Sequence, residues 1–201
     1  MSGKLRIISG RWRGRRLSVP TLPGLRPTGD RSREVLFNWL QGEIRNARCL
    51  DLFAGTGALG LEAASRGAVE VVLVEHDRNL SRRLIEIAGD WPGGDVLEVV
   101  NADALRWLAR ADGPFDIVFV DPPFDAGVYG ETLRALTRPG LLARDAIVYV
   151  ESAASSPAPI TLRQTTTTTS GECTAAPTAH LSISREKRVG DVRMQLLKAP
   201  G

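Results

Sequence analysis

Between Arg48 and Glu151 short apolar runs alternate with stretches of helical composition, and few folds can absorb that alternation. The runs at 49–53, 69–75, 96–100, 115–120 and 146–151 are rich in Val, Leu and Ile and read as buried strands. Between them, 58–66, 78–88, 104–110 and 129–137 have the length and composition of helices. Strands and helices in this order build a parallel, doubly wound sheet with right-handed crossovers. Ligands of such sheets bind beyond the carboxyl ends of the strands, so residues there carry the most functional weight. The expected fold class is α/β and Rossmann-like.

The flanks add smaller pieces. A helix at 30–40, capped by Asp30, is expected to pack Val35, Leu36, Trp39 and Leu40 on the sheet. Residues 5–9 and 15–19 flank Gly10-Arg11-Trp12-Arg13-Gly14 and read as a hairpin or extended arm. Residues 181–184 and 192–197, around a charged turn with Gly190, read as a closing antiparallel hairpin. In 152–180, 21 of 29 residues are Ser, Ala, Pro or Thr, which buries little apolar area and predicts a flexible segment. The expected organisation is a basic arm at 1–29 and a body at 30–201 that contains this tract.

Charge separates the same two parts. The net +3 divides into eleven Lys/Arg against three Asp/Glu in 1–48, or +8, and fifteen against twenty in 49–201, or −5. A basic arm on an acidic body suggests an anionic partner at one end. No apolar run approaches the roughly 20 residues that span a bilayer. The basic N-terminus lacks an apolar signal core, so the expected place is the cytoplasm, away from membranes. Cys49 and Cys173 predict neither a disulfide framework nor a metal cluster, and neither follows a proline, which argues against pyrimidine-C5 methylation. His76 and His180 lack metal-ligand partners at useful spacing, and no metal is expected.

The first strand leads into Asp51-Leu52-Phe53-Ala54-Gly55-Thr56-Gly57-Ala58-Leu59-Gly60, a glycine-rich turn that nicotinamide and flavin folds share. Glu75 ends the second strand, where an acid can hold two ribose hydroxyls, and this fits a dinucleotide equally well. Asp51 and Asp103 tilt the choice toward S-adenosylmethionine. A carboxylate at position 51 suits a cationic, amino-bearing ligand and repels a pyrophosphate, and Asp103 after the third strand can accept from an adenine amine. The expected cofactor contacts are Asp51, Phe53, Ala54, Gly55, Thr56, Gly57, Glu75, Asp103 and Ala104.

After the fourth strand comes Asp121-Pro122-Pro123-Phe124. An amino nitrogen on a planar ring is a poor nucleophile because its lone pair is delocalised. Activating it requires acceptors for both N–H protons, and a carboxylate plus the carbonyl of a proline-locked residue supply them. A following aromatic can stack on the base. Asp121, Pro122, Pro123 and Phe124 are therefore the expected catalytic group. A proline-stiffened turn with no chemistry is the plainer reading of the same residues.

Several blocks together carry a resemblance. Arg6-Ile7-Ile8-Ser9-Gly10, Trp12-Arg13-Gly14-Arg15, Gly24-Leu25-Arg26-Pro27-Thr28, Asp30-Arg31, Arg33-Glu34, Leu36-Phe37-Asn38-Trp39-Leu40, the 51–60 loop, 121–124 and Arg185-Glu186-Lys187 resemble the RsmD family, the small-subunit ribosomal RNA guanine-N2 methyltransferases. The resemblance implies a class I S-adenosylmethionine-dependent fold, with a mostly parallel seven-stranded sheet and an antiparallel C-terminal hairpin. It also implies methyl transfer to the exocyclic N2 of one guanine in 16S rRNA, on the small ribosomal subunit or its assembly intermediate. The tract at 152–180 is longer than the family's short connection into the last hairpin.

Lys4, Arg11, Arg13, Arg15, Arg16, Arg26, Arg31 and Arg33 are the expected phosphate contacts, with Trp12 available to stack on RNA. The expected state is a monomer. The competing readings are amino methylation of DNA adenine or cytosine or of a protein glutamine, and a non-catalytic RNA-binding assembly factor.

Overall fold

A computed structural model describes residues 3–19, 29–123, 127–155 and 181–201. Arg26, Phe124, most of the 152–180 tract and the side chain of Lys4 lie outside the described residues. Strands β1 (Gly3–Arg6) and β2 (Arg16–Val19) pair antiparallel as a separate two-stranded hairpin. The body then runs α1 (Asp30–Trp39), β3 (Arg48–Asp51), α2 (Ala58–Ser65), β4 (Glu70–Glu75), α3 (Arg78–Asp90), β5 (Leu97–Asn101), α4 (Ala104–Leu108), β6 (Phe115–Val120), α5 (Tyr129–Leu136), β7 (Leu142–Ala153), β8 (Ser182–Val189) and β9 (Val192–Lys198).

The main sheet has seven strands in the order β5-β4-β3-β6-β7-β9-β8. Its first five neighbours pair parallel, while β9 runs antiparallel to both β7 and β8. The chain leaves β3 toward β4 on one side and returns to β6 on the other. That reversal creates a crevice between the ends of β3 and β6, where doubly wound sheets hold their ligands.

Alternation along the strands sends side chains into two cores. Cys49, Leu73, Phe119 and Tyr149 join the face covered by α1, α2, α3 and the β1–β2 hairpin. Leu50, Val74, Val120 and Val150 join the face covered by α4 and α5. The same alternation places Asp51, Glu75 and Asp121 at strand ends on the first face, with Glu151 on that face two residues before β7 ends.

Two local expectations are corrected and one is extended. Gly29 occupies the N-cap of α1 with no side-chain cap, because Asp30 is turned to its ion-pair partner Arg33. The expected face of α1 is extended: Leu36 and Leu40 are buried, Val35 and Trp39 pack half-buried against the same core, and Phe37 joins them. Finally, β8 extends through Arg185–Val189, a stretch read as turn, because an edge strand can keep charged side chains in solvent.

Candidate active site

The turn after β3 is built from close packing. Gly57 begins α2 with φ +77°, and a Cβ there would lie 2.6 Å from Leu84 Cδ2. A Cβ on Gly60 would lie 2.2 Å from Leu73 Cδ2, so its absence lets α2 press against β4. The Gly60 N–H donates to Asp51 Oδ2 at 2.8 Å. Asp51 is buried, and that burial raises its carboxyl to about 7, with Asp121 and Glu75 adding to the rise and the Gly60 N–H opposing it.

Glu75 is buried as well. Its Oε2 accepts from Gly55 N–H and its Oε1 from Asp77 N–H, each at 2.7 Å, so it braces the glycine turn against the next helix. Asp103 is exposed and caps α4 through Arg106 N–H at 2.9 Å. Phe53 and Ala104 lean into the core under α4 and α5, Ala54 N–H bonds to the Val74 carbonyl, and Thr56 borders a cavity. That cavity, of about 280 Å³, opens between Arg16 and Leu17 of the hairpin and Arg83, Leu84 and Trp91 of α3 and the residue after it. It lies on the hairpin side of the glycine turn.

Across the crevice, Asp121 follows β6 directly and is half-buried, Pro122 is buried, and Pro123 is exposed. The Asp121 carboxylate lies close enough to Asp51, Tyr129, Tyr149 and Glu151 to push all four acids upward. Glu151 is the residue that sequence reading passed over. It closes the 146–151 run much as Asp121 follows 115–120, so the rule that looks for acids where apolar runs stop also points to it. Tyr149 donates its phenol O–H to Glu151 Oε2 at 2.7 Å. Tyr129, from α5, donates to the Glu151 main-chain carbonyl at 3.0 Å.

The expected nucleic-acid contacts separate into two groups. Arg13, Arg16 and Arg31 are exposed. Two others are corrected. Trp12 is 2% exposed, its indole N–H donates to the Pro92 carbonyl at 2.9 Å, and its ring meets Trp91 edge-on, so no face is left for a base. Arg33 is fully buried, donates to the Arg6 carbonyl and pairs with Asp30, so it cannot reach a phosphate. Arg11 is exposed but tied down, its ε N–H donating to the Ala64 carbonyl at 3.2 Å. The Arg15 guanidinium stacks 4.8 Å from the Trp91 ring centre. Among the described residues no group of His, Cys, Asp and Glu is arranged to hold a metal ion. Among them, too, no helix is long and apolar enough to cross a membrane.

Residues 5–197 match the family described as Conserved hypothetical protein 95. The chain is 47% identical over 195 residues to ribosomal RNA small subunit methyltransferase D of Escherichia coli K12, covering 97% of this chain and 90% of that one. The chain belongs to the RsmD family. Its fold follows suit: the solved Escherichia coli methyltransferase yhhF superposes with a TM-score of 0.78 at 44% identity, over 99% of each chain. An RNA methyltransferase from Salinibacter ruber, solved with S-adenosyl-L-homocysteine, has a TM-score of 0.61 at 14% identity, covering 87% of this chain and 94% of that one. At that identity the likeness is one of fold. The RsmD-family chain thus has the mostly parallel, seven-stranded sheet of S-adenosylmethionine-dependent methyltransferases, closed by an antiparallel hairpin.

Proposed function

We propose that this chain transfers a methyl group from S-adenosylmethionine to the exocyclic N2 of a guanine in the RNA of the small ribosomal subunit. The observation that carries the reading is the position of Asp121-Pro122-Pro123, at the end of β6 and across the crevice from Asp51 and the glycine turn. The name of the Escherichia coli relative supports an RNA substrate in the small subunit.

The residues around the crevice fit the proposed methyl donor. A buried carboxyl held at about 7, with Glu75 beside it, gains from a cationic ligand and would resist a pyrophosphate. Asp51, the 53–57 turn and Glu75 would hold the donor, with Asp103 beyond β5 near its base. When bound, the donor supplies an electrophilic methyl on a sulfonium.

The remaining chemistry falls to the chain. The Asp121 carboxylate accepts one N–H of the target amine and the Pro122 carbonyl the other. The ring of Pro122 locks its φ and the following Pro123 restricts its ψ, so the direction of that carbonyl is preset. Held this way, the amine's lone pair points at the methyl, and orientation supplies much of the rate. The nitrogen becomes positive as its bond to carbon forms and the methyl's bond to sulfur breaks. The Asp121 charge stabilises it, and the surplus N–H proton then passes to Asp121 or to water. Phe124 is assigned the base-stacking role, and bringing the base out of its stack costs a few kcal/mol.

Asp121→Ala tests the assignment. The variant should bind S-adenosylmethionine within about twofold of wild type by calorimetry, and its methyl transfer into small subunits should fall by at least about a thousandfold. Turnover near wild type would refute it.

A further inference from the structure

Strands β6 and β7 run parallel with Val120 opposite Val150, so the next residue on each, Asp121 and Glu151, emerges side by side. Neighbouring backbones in a sheet stand about 4.8 Å apart. Both residues occupy the face that carries Phe119 and Tyr149. Glu151 is held at two points, its carboxyl by the Tyr149 phenol and its main-chain carbonyl by the Tyr129 phenol. A carboxyl buried at the end of an Ile-Val-Tyr-Val run opposes folding unless it is neutral or well bonded. Building on the methyl-transfer reading above, we propose that Glu151 is a positioning residue that acts through Asp121. As a neutral carboxylic acid it donates its O–H toward the Asp121 carboxylate and fixes which oxygen receives the target amine.

The surroundings of Glu151 support this assignment. Burial first, and then Asp121, push its carboxyl up to about 8, against the pull of the Tyr149 hydrogen bond. That rise favours the form that carries an O–H. The titratable groups around it are Asp121 beyond β6, Tyr149 on its own strand and Tyr129 from α5. Opposite it on β9 stands Met194, which carries no charge. The neighbouring Arg193 sits at a position of the other sheet face, where it donates to the Ala154 carbonyl. Ionising Glu151 would leave two carboxylates side by side, and the resulting repulsion would spoil the aim of Asp121.

The test is kcat/KM against pH for tritiated-methyl transfer into small ribosomal subunits that lack their native methyl marks. Glu151→Gln keeps a neutral N–H donor in the same place, whereas Glu151→Ala removes it. Wild type should lose activity on the alkaline side as Glu151 ionises near pH 8. The Gln variant should match wild type within about threefold at pH 7 and lack that fall, since it has no proton to lose. The Ala variant should lose roughly tenfold or more across the range, with donor affinity unchanged by calorimetry. An alkaline fall retained in the Gln variant, or wild-type kcat/KM in the Ala variant, overturns the proposal. Should the Ala variant fail to fold, the Gln profile decides alone. A wild-type chain that methylates no subunit at any pH overturns this assignment together with the reading it rests on.

Discussion

The hairpins at the two ends of the chain make opposite use of the same kind of strand. The β8–β9 hairpin extends the main sheet, and its inner strand is buried while β8 is almost wholly exposed. The β1–β2 hairpin belongs to a sheet of its own, yet the body grips it closely. Leu5, Ile7, Trp12 and Leu17 are buried in the core beneath it. Glu62 of α2 accepts from the Ile8 and Ser9 N–H groups at 2.7 and 3.0 Å. Ser65 accepts from Trp12 N–H and donates to the Ser9 carbonyl. Membership of a sheet is thus a poor guide to how firmly a strand is held; the side chains that satisfy its backbone decide. The charges follow the same division. Arg185, Lys187 and Arg188 on β8 guard an open edge against pairing with another chain. Arg11 and Arg15 in the N-terminal hairpin are instead anchored on Ala64 and Trp91.

This contrast makes a graded set of predictions. The largest effect should come from Glu62→Ala, which strands two backbone donors and leaves Arg33 and Arg66 without their shared carboxylate. Removing one partner of a buried ionic network costs about 3–5 kcal/mol, so urea unfolding should show a loss of that order. Only a small change there would mean the hairpin is not fastened through α2. Trp12→Ala should cost about 3 kcal/mol from lost core packing, read in the same titration. At the other end, Lys187→Ala should shift stability by less than about 0.5 kcal/mol, since the side chain is exposed on an edge strand. A large loss there would erase the distinction between the hairpins.

What could be read ahead of the structure follows from how local the signal is. The strand–helix alternation is carried by neighbouring residues, and the order of elements emerged from it with ends shifted by a few positions. The placement of Asp51, Glu75 and Asp121 at the ends of parallel strands was legible because the apolar run before each marks where its strand stops. Trp12 and Arg33 were misjudged because an aromatic and an arginine in a basic stretch look like surface. Only their contacts with Pro92, Trp91, Arg6 and Asp30 place them inside. Glu151 escaped notice because an acid closing an apolar run is read as a boundary, and its phenol partners come from a separate helix and from its own strand.

Helix α2 starts at the glycine turn and carries Glu62 and Ser65 on its last turns, beneath the N-terminal hairpin. Eight residues make a strut about 12 Å long. Whatever seats itself at one end of that strut and whatever tugs at the other are handling a single stiff object. Thermodynamic reciprocity then requires that any help the first gives the second be returned in equal measure.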